Sequence, residues 1–188
     1  MTKKLLFLGF LFTIFFSNAQ DKKWSLEASY PLWVGDNFGN DADGILDIGI
    51  KYRVLDFNIV ELGASMNTAL FHENIRSFDI PQSDDFDETD WIFQPRIFGE
   101  FQIPGIKKLR PNLGLGYTIV SSNFEGMLNG QDFSNKNSYG GFNINLGISY
   151  DVWNNFFIQA QYDYISLDVE FRDNLDLGIF KAGIGYRF

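Results

Sequence analysis

The sequence is poor in several residue types that common protein classes need. Its 188 residues include no cysteine, a single histidine and five prolines. The lack of cysteine excludes a disulfide framework. The net charge of −9, with no basic stripe to neutralise phosphates, makes nucleic acid an unexpected partner. Beyond residue 16 no apolar run is long enough for a transmembrane helix, so any part that spans a membrane must be built of strands.

The N-terminal segment has the pattern of a secretory signal peptide. A short basic region at 1–4 precedes an apolar run at 5–16 and a small, polar segment at 17–20. The apolar run is well short of the ~20 residues that a membrane-spanning helix requires. We therefore expect residues 1–20 to be a signal peptide and residues 21–188 to form one domain, with no internal linker.

The rest of the chain consists of alternating apolar and polar runs separated by turn-rich segments. Most of these runs have ~10 residues or more, which is enough for a tilted strand to cross the hydrocarbon layer. The pattern predicts an all-β fold, an eight-stranded antiparallel up-and-down transmembrane β-barrel. The predicted strands are 24–32, 45–54, 58–71, 91–101, 111–120, 139–150, 156–165 and 177–188.

The connections between the predicted strands alternate in length. This alternation is typical of an outer-membrane barrel with short periplasmic turns and longer extracellular loops. The expected short turns lie at 55–57, 102–110 and 151–155, and the expected longer loops at 34–44, 72–90, 121–138 and 166–176.

Alternation alone does not distinguish a membrane barrel from a soluble, lipocalin-like barrel with its apolar face inward. Two features favour the membrane barrel. Trp24, Trp33, Trp91 and Trp153 fall at or just beyond predicted strand ends, as in an aromatic girdle. Glycines crowd the polar face, where a narrow lumen needs small residues beside long ones. These glycines are Gly49, Gly63, Gly114, Gly116, Gly147, Gly183 and Gly185.

Charges of both signs occur on the polar face in nearly equal numbers. Balanced charge is what ion pairs in a closed compartment require, whereas a solvated face has no such need. The sequence predicts that these residues fill the lumen as ion pairs and leave no open pore, since open channels need 16 or more strands. The predicted network consists of Glu27, Lys51, Arg53, Glu61, Arg96, Glu100, Asp163, Lys181 and Arg187.

The last eight residues alternate in polarity and finish on an aromatic residue. Lys181, Gly183, Tyr186 and Phe188 resemble the C-terminal signature of bacterial outer-membrane β-barrels. The resemblance implies that the barrel-assembly machinery reads this stretch, with Phe188 at the lipid boundary. The whole mature chain resembles the small OmpA-barrel and OmpX-like proteins, and its aromatic-rich style is similar to barrel proteins of Bacteroidetes, including the PorT-like group.

By the same parity, the outer half of the lumen is expected to be apolar. Two interpretations remain open: a small hydrophobic plug, or a pocket for a small apolar ligand as in OmpW-like barrels. The residues concerned are Ile45, Phe71, Ile92, Val120, Ile165, Leu177 and Ile179.

Evidence for catalysis or metal binding is weak. His72 has no evident serine or carboxylate partner at the spacing that lipid A deacylases of this size carry, so a lipid-modifying enzyme is a minor alternative. The acidic segment Asp79 to Asp90 does not have the spacing of an EF-hand loop, and we expect a solvated outer rim. No cofactor or metal is predicted.

We therefore expect a non-enzymatic outer-membrane barrel with a structural or interaction role carried by acidic extracellular loops. The alternative function is binding or passage of a small hydrophobic ligand. The expected partners are outer-membrane lipid, lipopolysaccharide and the barrel-assembly machinery, while the sequence indicates no particular extracellular partner.

Overall fold

The computed structural model describes residues 22–34, 42–75, 83–128, 131–168 and 175–188. Eight antiparallel strands pair in sequence order and close into a barrel. They are β1 (Trp24–Val34), β2 (Asp43–Asp56), β3 (Val60–Ile75), β4 (Ser83–Phe101), β5 (Leu109–Leu128), β6 (Gln131–Trp153), β7 (Phe156–Asp168) and β8 (Leu175–Arg187). The predicted fold class and strand count are confirmed.

None of the described residues belongs to a helix long and apolar enough to cross a membrane. The predicted signal peptide at 1–20 lies outside the described residues.

The barrel closes where β1 pairs with β8. The register runs from Ser25 opposite Arg187 to Val34 opposite Gly178. Just beyond it, Trp24 and Phe188 exchange two backbone hydrogen bonds of 3.0 and 2.9 Å. Phe188 is 7 % exposed, and its ring stacks on that of Tyr186.

Residues alternate between the two faces of the strands, and over much of the barrel the inner face is polar. On β7, Gln159, Gln161 and Asp163 are buried, while Ile158 and Tyr162 on the opposite face are exposed. A buried polar interior inside an exposed apolar exterior is the reverse of a soluble barrel and matches a barrel in lipid. We call the end with the 57–59, 102–108 and 154–155 connections the turn end.

At the opposite end, four strands continue well beyond the barrel. Residues 72–75 of β3, 83–90 of β4, 121–128 of β5 and 131–139 of β6 pair with one another in an antiparallel sheet, which we call the outer sheet. The expected loops at 72–90 and 121–138 were therefore largely wrong, since all of their described residues are strand. Trp91, expected at a strand end, lies inside β4 at the level where the outer sheet begins.

A local irregularity explains one error of the parity argument, whereas the regular alternation of β1 explains why one tryptophan does not join an exterior girdle. The register shifts between Gly44 and Leu46, so the intervening Ile45 turns outward and is 51 % exposed instead of lining the lumen. Trp33 points inward, with its ring 4.5 Å from that of Phe71, and so does not belong to an exterior girdle.

Candidate functional site

The structure brings all nine residues of the predicted ion-pair network into the lumen. Eight of them are 5 % exposed or less, and the side chain of Glu61 is 14 % exposed. The inner-face glycines make this crowding possible. A Cβ at Gly185 would collide with the ring of Phe157, over which the Arg187 guanidinium lies at 4.0 Å.

At the turn end, the Glu100 carboxylate accepts hydrogen bonds from three arginines. Arg53 donates two hydrogen bonds to it at 3.1 and 3.2 Å, Arg110 one at 3.2 Å and Arg187 one at 3.4 Å. Arg53 also pairs with Glu61 at 2.9 Å. These contacts connect strands from β2 to β8, so a single carboxylate helps to fix the cross-section of the barrel.

Deeper in the lumen, Lys181 is fully buried between two aspartates. Its Nζ lies 2.6 Å from Asp47 and 2.9 Å from Asp163, and it also donates to Gln94 at 2.8 Å. Asp163 accepts a further bond from Arg96 at 2.7 Å. Every charge in this cluster has an opposite partner, which is the condition for burying charges at a tolerable free-energy cost.

A third contact completes the ionic part of the lumen. Lys51 pairs with Glu27 at 2.8 Å, and the other carboxylate oxygen of Glu27 accepts from Gln159 at 3.1 Å and from Gln161 at 3.3 Å. The two glutamine amides therefore occupy the lone pairs of the Glu27 carboxylate that Lys51 does not use.

Two members of the network escaped the sequence prediction. Arg110 and Asp151 were assigned to turns, yet they lie 3.3 Å apart inside the lumen, and Asp151 also bonds Arg187. Both follow the inward parity of their strands, so extending β5 and β6 by one or two residues would have found them.

Above the ionic region the lumen is filled by apolar side chains, which we call the apolar plug. Six of the seven predicted residues belong to it, Ile45 being the exception described above. The plug consists of Ala69, Phe71, Ile92, Val120, Ile165, Leu167, Leu177 and Ile179, each 0–4 % exposed. Trp33, Ala42, Tyr139 and Leu175 pack against it. Because these side chains are almost completely buried, they fill the barrel mouth and do not line an open pocket there.

The outer sheet is strongly acidic. Eight acidic residues and a single lysine, Lys136, fall within its strands. Glu73 and Glu88 are directly opposite each other. Burial and the nearby Asp90 and Glu73 carboxylates raise the pKa of Glu88 to about 7. Within the described ranges, no group of three or more histidine, aspartate or glutamate side chains is placed to hold a metal ion.

His72 lies on β3 at the base of the outer sheet. Its Nδ1 is 3.2 Å from the Thr89 hydroxyl, and its Nε2 is 3.2 Å from the side-chain amide of Asn74. Neither neighbour is a carboxylate that could orient a general base. Asp79 of the predicted acidic segment lies outside the described residues.

Comparison with known proteins settles the family. The model of the outer membrane protein beta-barrel domain matches residues 6–188. The chain belongs to this outer-membrane β-barrel family. Its place is the outer membrane, as the polar lumen and apolar exterior require. No curated protein matches the chain.

Solved structures agree with this assignment at the level of fold. Ail, the attachment invasion locus protein of Yersinia pestis, is 20 % identical, with a TM-score of 0.57 over 88 % of this chain and 96 % of that one. Neisserial surface protein A is also 20 % identical, with a TM-score of 0.56 over 88 % and 97 %. OprG of Pseudomonas aeruginosa is 10 % identical, with a TM-score of 0.50 over 88 % and 95 %.

Proposed function

We propose that this outer-membrane barrel is a non-catalytic interaction protein, and that its outer sheet binds an extended segment of a partner protein outside the cell. The observation that carries the proposal is the edge of β6. Residues 131–139 pair with β5 on one side, whereas the described pairing of β6 with β7 begins only at Gly140. An edge of this kind can accept a further strand through main-chain hydrogen bonds.

The charge of the outer sheet defines the partner's chemistry. With eight acidic residues and one lysine, it favours a partner strand that carries lysine or arginine. One structure of Ail holds a heparin analogue, sucrose octasulfate. The acidic outer sheet disfavours such a polyanion here, and a shared fold does not imply a shared ligand.

The lumen supports an interaction role over transport. Ion pairs fill its turn-end half and the apolar plug fills the rest, so the interior serves as a rigid support for the outer sheet. The fully covered plug offers no specific support for the hydrophobic-ligand alternative, and the environment of His72 offers none for a lipid-modifying enzyme.

A strand-addition experiment tests the proposal. The protein in lipid nanodiscs is titrated with a labelled peptide of alternating lysine and valine, and binding is followed by fluorescence anisotropy. The matched control is the same peptide with alternate backbone amides N-methylated, which keeps charge and side chains but cannot extend a sheet. We expect the first peptide to bind and the control not to bind.

Proline variants locate the binding edge. Successive N–H groups of a strand point to opposite sides, so of Asn135→Pro and Lys136→Pro one blocks the edge that faces away from β5 and the other disrupts the ladder with β5. Equal binding of the methylated control, or unchanged binding in both proline variants, contradicts strand addition. Labelling of Lys136 on intact cells by a membrane-impermeant amine reagent tests the expected orientation. If Lys136 is not labelled, the outer sheet does not face the outside of the cell.

A further inference from the structure

One buried carboxylate lacks the cation that the others have. The described residues include five carboxylates that are 4 % exposed or less: Glu27, Asp47, Asp90, Glu100 and Asp163. Four of them form salt bridges with a lysine or an arginine at 2.6–3.1 Å. Asp90 forms no salt bridge with any described residue, and its Oδ1 has no hydrogen-bond partner there. Because burying an unpaired carboxylate is unfavourable, Asp90 requires a cation that the described residues do not supply.

Two further unsatisfied oxygens lie beside Asp90 on the inner face of the outer sheet. Ser122 is directly opposite Asp90 in the β4–β5 pairing and is 1 % exposed. Glu88 is two residues from Asp90 on β4, so both carboxylates point to the same face. Glu88 Oε1 and Ser122 Oγ are buried without a hydrogen-bond partner, as Asp90 Oδ1 is. If the Ser122 hydroxyl turns its proton to Asp90, the Ser122 oxygen still has lone pairs for a donor.

Lys181 shows which group such a set of acceptors holds in this barrel. Its Nζ is bound by two carboxylates and one neutral oxygen, those of Asp47 at 2.6 Å, Asp163 at 2.9 Å and Gln94 at 2.8 Å. An ammonium has three N–H donors and no acceptor, so three converging oxygens satisfy it completely. Asp90, Glu88 and Ser122 repeat this composition of two carboxylates and one neutral oxygen without a lysine. A water molecule would donate only two protons and would leave the charge uncompensated.

The described residues argue against other sources of the cation. Calcium takes about six to eight oxygen ligands, and no group of three or more acidic or histidine side chains in the described ranges is placed to hold a metal ion. Lys136, the one lysine of the outer sheet, is exposed and pairs with Asn123, whereas Asn137 pairs with Ser122. Successive residues of a strand point to opposite faces, so Lys136 is on the face away from Asp90.

Apolar side chains flank the three acceptors. Phe71 is directly opposite Asp90 on β3, and Phe124 is directly opposite Glu88 on β5. Phe71 belongs to the apolar plug, which continues from Asp90 toward the lumen. Aromatic rings attract an ammonium through their faces and also pack against an apolar stem. The surroundings therefore favour an ammonium that is carried on a short hydrocarbon chain.

We propose that Asp90, Glu88 and Ser122 form a binding site for a primary ammonium on a short apolar stem. The three N–H groups donate to the three unsatisfied oxygens, and the stem packs against Phe71 and Phe124. Burial and the neighbouring carboxylates of Asp90 and Glu73 raise the pKa of Glu88 to about 7, and a bound ammonium relieves this repulsion. The site is independent of strand addition at the β6 edge, because an added strand would lie three strand spacings, about 14 Å, from β4.

Carboxyl-carbon NMR tests the proposal. The protein, labelled at the aspartate and glutamate carboxyls, is placed in lipid nanodiscs at pH 8 and titrated with butylamine. The matched control is butyltrimethylammonium, which has the same charge and stem but no N–H donor. We expect butylamine to shift the Asp90 and Glu88 resonances to saturation, with one amine per chain, and the control to leave them unchanged. A peptide, acetyl-Gly-Lys-Gly-amide, is titrated in parallel, and the tighter of the two ligands shows whether the site prefers a free amine or a protein lysine.

Variants assign the binding to the three oxygens. Asp90→Asn should abolish the shift of Glu88, because it removes the charge of the site. Ser122→Ala should weaken binding by roughly tenfold, because it removes one acceptor of a charged donor. Asp87→Asn is the matched control, since Asp87 is exposed on the other face of the same strand, and it should bind butylamine as the wild type does. Heat-modifiability on a gel confirms that each variant is folded.

Several outcomes would overturn the inference. Shifts that do not saturate, or that butyltrimethylammonium produces equally, show general attraction of cations to an acidic surface. Unchanged resonances in the wild type show that the three oxygens are hydrated or protonated and bind no amine. The two arginines that the described residues do not include are replaced together, as Arg76→Gln with Arg172→Gln. If butylamine binds only to this double variant, the chain itself supplies the cation. If Asp90→Asn does not assemble, the result for Ser122→Ala decides.

Discussion

Arg96 on β4 and Asp163 on β7 meet inside the lumen, 2.7 Å apart and almost completely shielded from solvent. The contact ties together strands that are not neighbours in the barrel. Asp163 also holds Lys181, so it neutralises part of the charge of two buried cations at once.

Removing the Asp163 carboxylate should destabilise the barrel. We expect Asp163→Asn to lower the free energy of unfolding by about 3–5 kcal/mol, because it leaves Arg96 and Lys181 buried with less compensation. Equilibrium urea unfolding in detergent measures the change. Glu125→Gln, an exposed carboxylate of the outer sheet, is the control and should change stability by less than about 0.5 kcal/mol. If Asp163→Asn leaves the free energy of unfolding unchanged, water already reaches this cluster.

The inner and outer glycines should respond oppositely to the same substitution. Gly185→Ala places a methyl group against the Phe157 ring and should destabilise the barrel by about 1–3 kcal/mol. Gly99→Ala adds the same methyl on the outer face, where the nearest atom, Leu62 Cδ2 at 3.3 Å, is the end of a flexible side chain that can move away, so this variant should be neutral or slightly stabilising. Thermal unfolding in detergent compares them. If Phe157→Leu fails to rescue Gly185→Ala, crowding of that ring is not the cause.

The apolar plug should contribute to stability without being the sole barrier to ions. Phe71→Ala is expected to destabilise by about 3–5 kcal/mol through lost burial and the cavity left behind. It should not create a conducting channel, because the Glu100 and Lys181 clusters still fill the lumen beneath it. Planar-bilayer recordings check this. Stable conductance steps in Phe71→Ala would show that the ionic region passes ions by itself.

The outer sheet should respond to pH through Glu88. The pKa of this carboxyl is raised from 4.5 to about 7 by burial and by neighbouring Asp90 and Glu73. The folded sheet therefore binds a proton that the unfolded chain has already released between these values, so stability should fall as pH rises from about 4.5 to about 7. Glu88→Gln should remove this part of the pH dependence and be the more stable form at pH 8.

Carboxyl-carbon NMR of the labelled protein gives the Glu88 titration directly, and hydrogen exchange of β4 amides reports local stability. A Glu88 midpoint near 4.5 would contradict the expected shift. Glu125→Gln serves as the control, because this side chain is exposed and lies on the same sheet.

Phe188 allows recognition during assembly to be separated from packing. Its side chain is the part that the C-terminal signature implies is read in the cell, while its backbone bonds Trp24. We expect Phe188→Ala to reduce the folded outer-membrane population in cells and to refold normally from urea into detergent. Deleting the residue removes the backbone bonds as well and should impair both. Equal assembly of Phe188→Ala and wild type would show that the side chain is not read.

The sequence predicted the barrel well because its signal is simple: two faces with opposite polarity, repeated eight times. The outer sheet was missed because Asp84, Asn123 and Ser134 lie in segments without an apolar face, which resemble loops in composition. Their strand conformation comes from pairing with neighbours that the barrel has already aligned, a tertiary effect that local patterning does not encode.

Errors in the lumen had an equally physical origin. Parity places every residue correctly until a bulge inserts one residue, and nothing in the sequence around Ile45 or Leu55 marks a bulge. The predicted ionic residues lie between such irregularities, where parity holds. The pairing of Lys181 with Asp47 depends on how β8 and β2 are arranged around the closed ring, which no local pattern specifies.

The seam between Trp24 and Phe188 has a consequence for the order of folding. Every other strand pair joins neighbours in sequence, but this one requires both ends of the described chain to be present together. Loop-closure entropy makes so distant a contact slow to form without help. Until this contact forms, β1 and β8 each present an unpaired edge to lipid, and lipid cannot form hydrogen bonds with the backbone groups of that edge. A chain of which only some strands have entered the membrane is therefore not stable there. Insertion becomes stable only when the final strand pairs with the first.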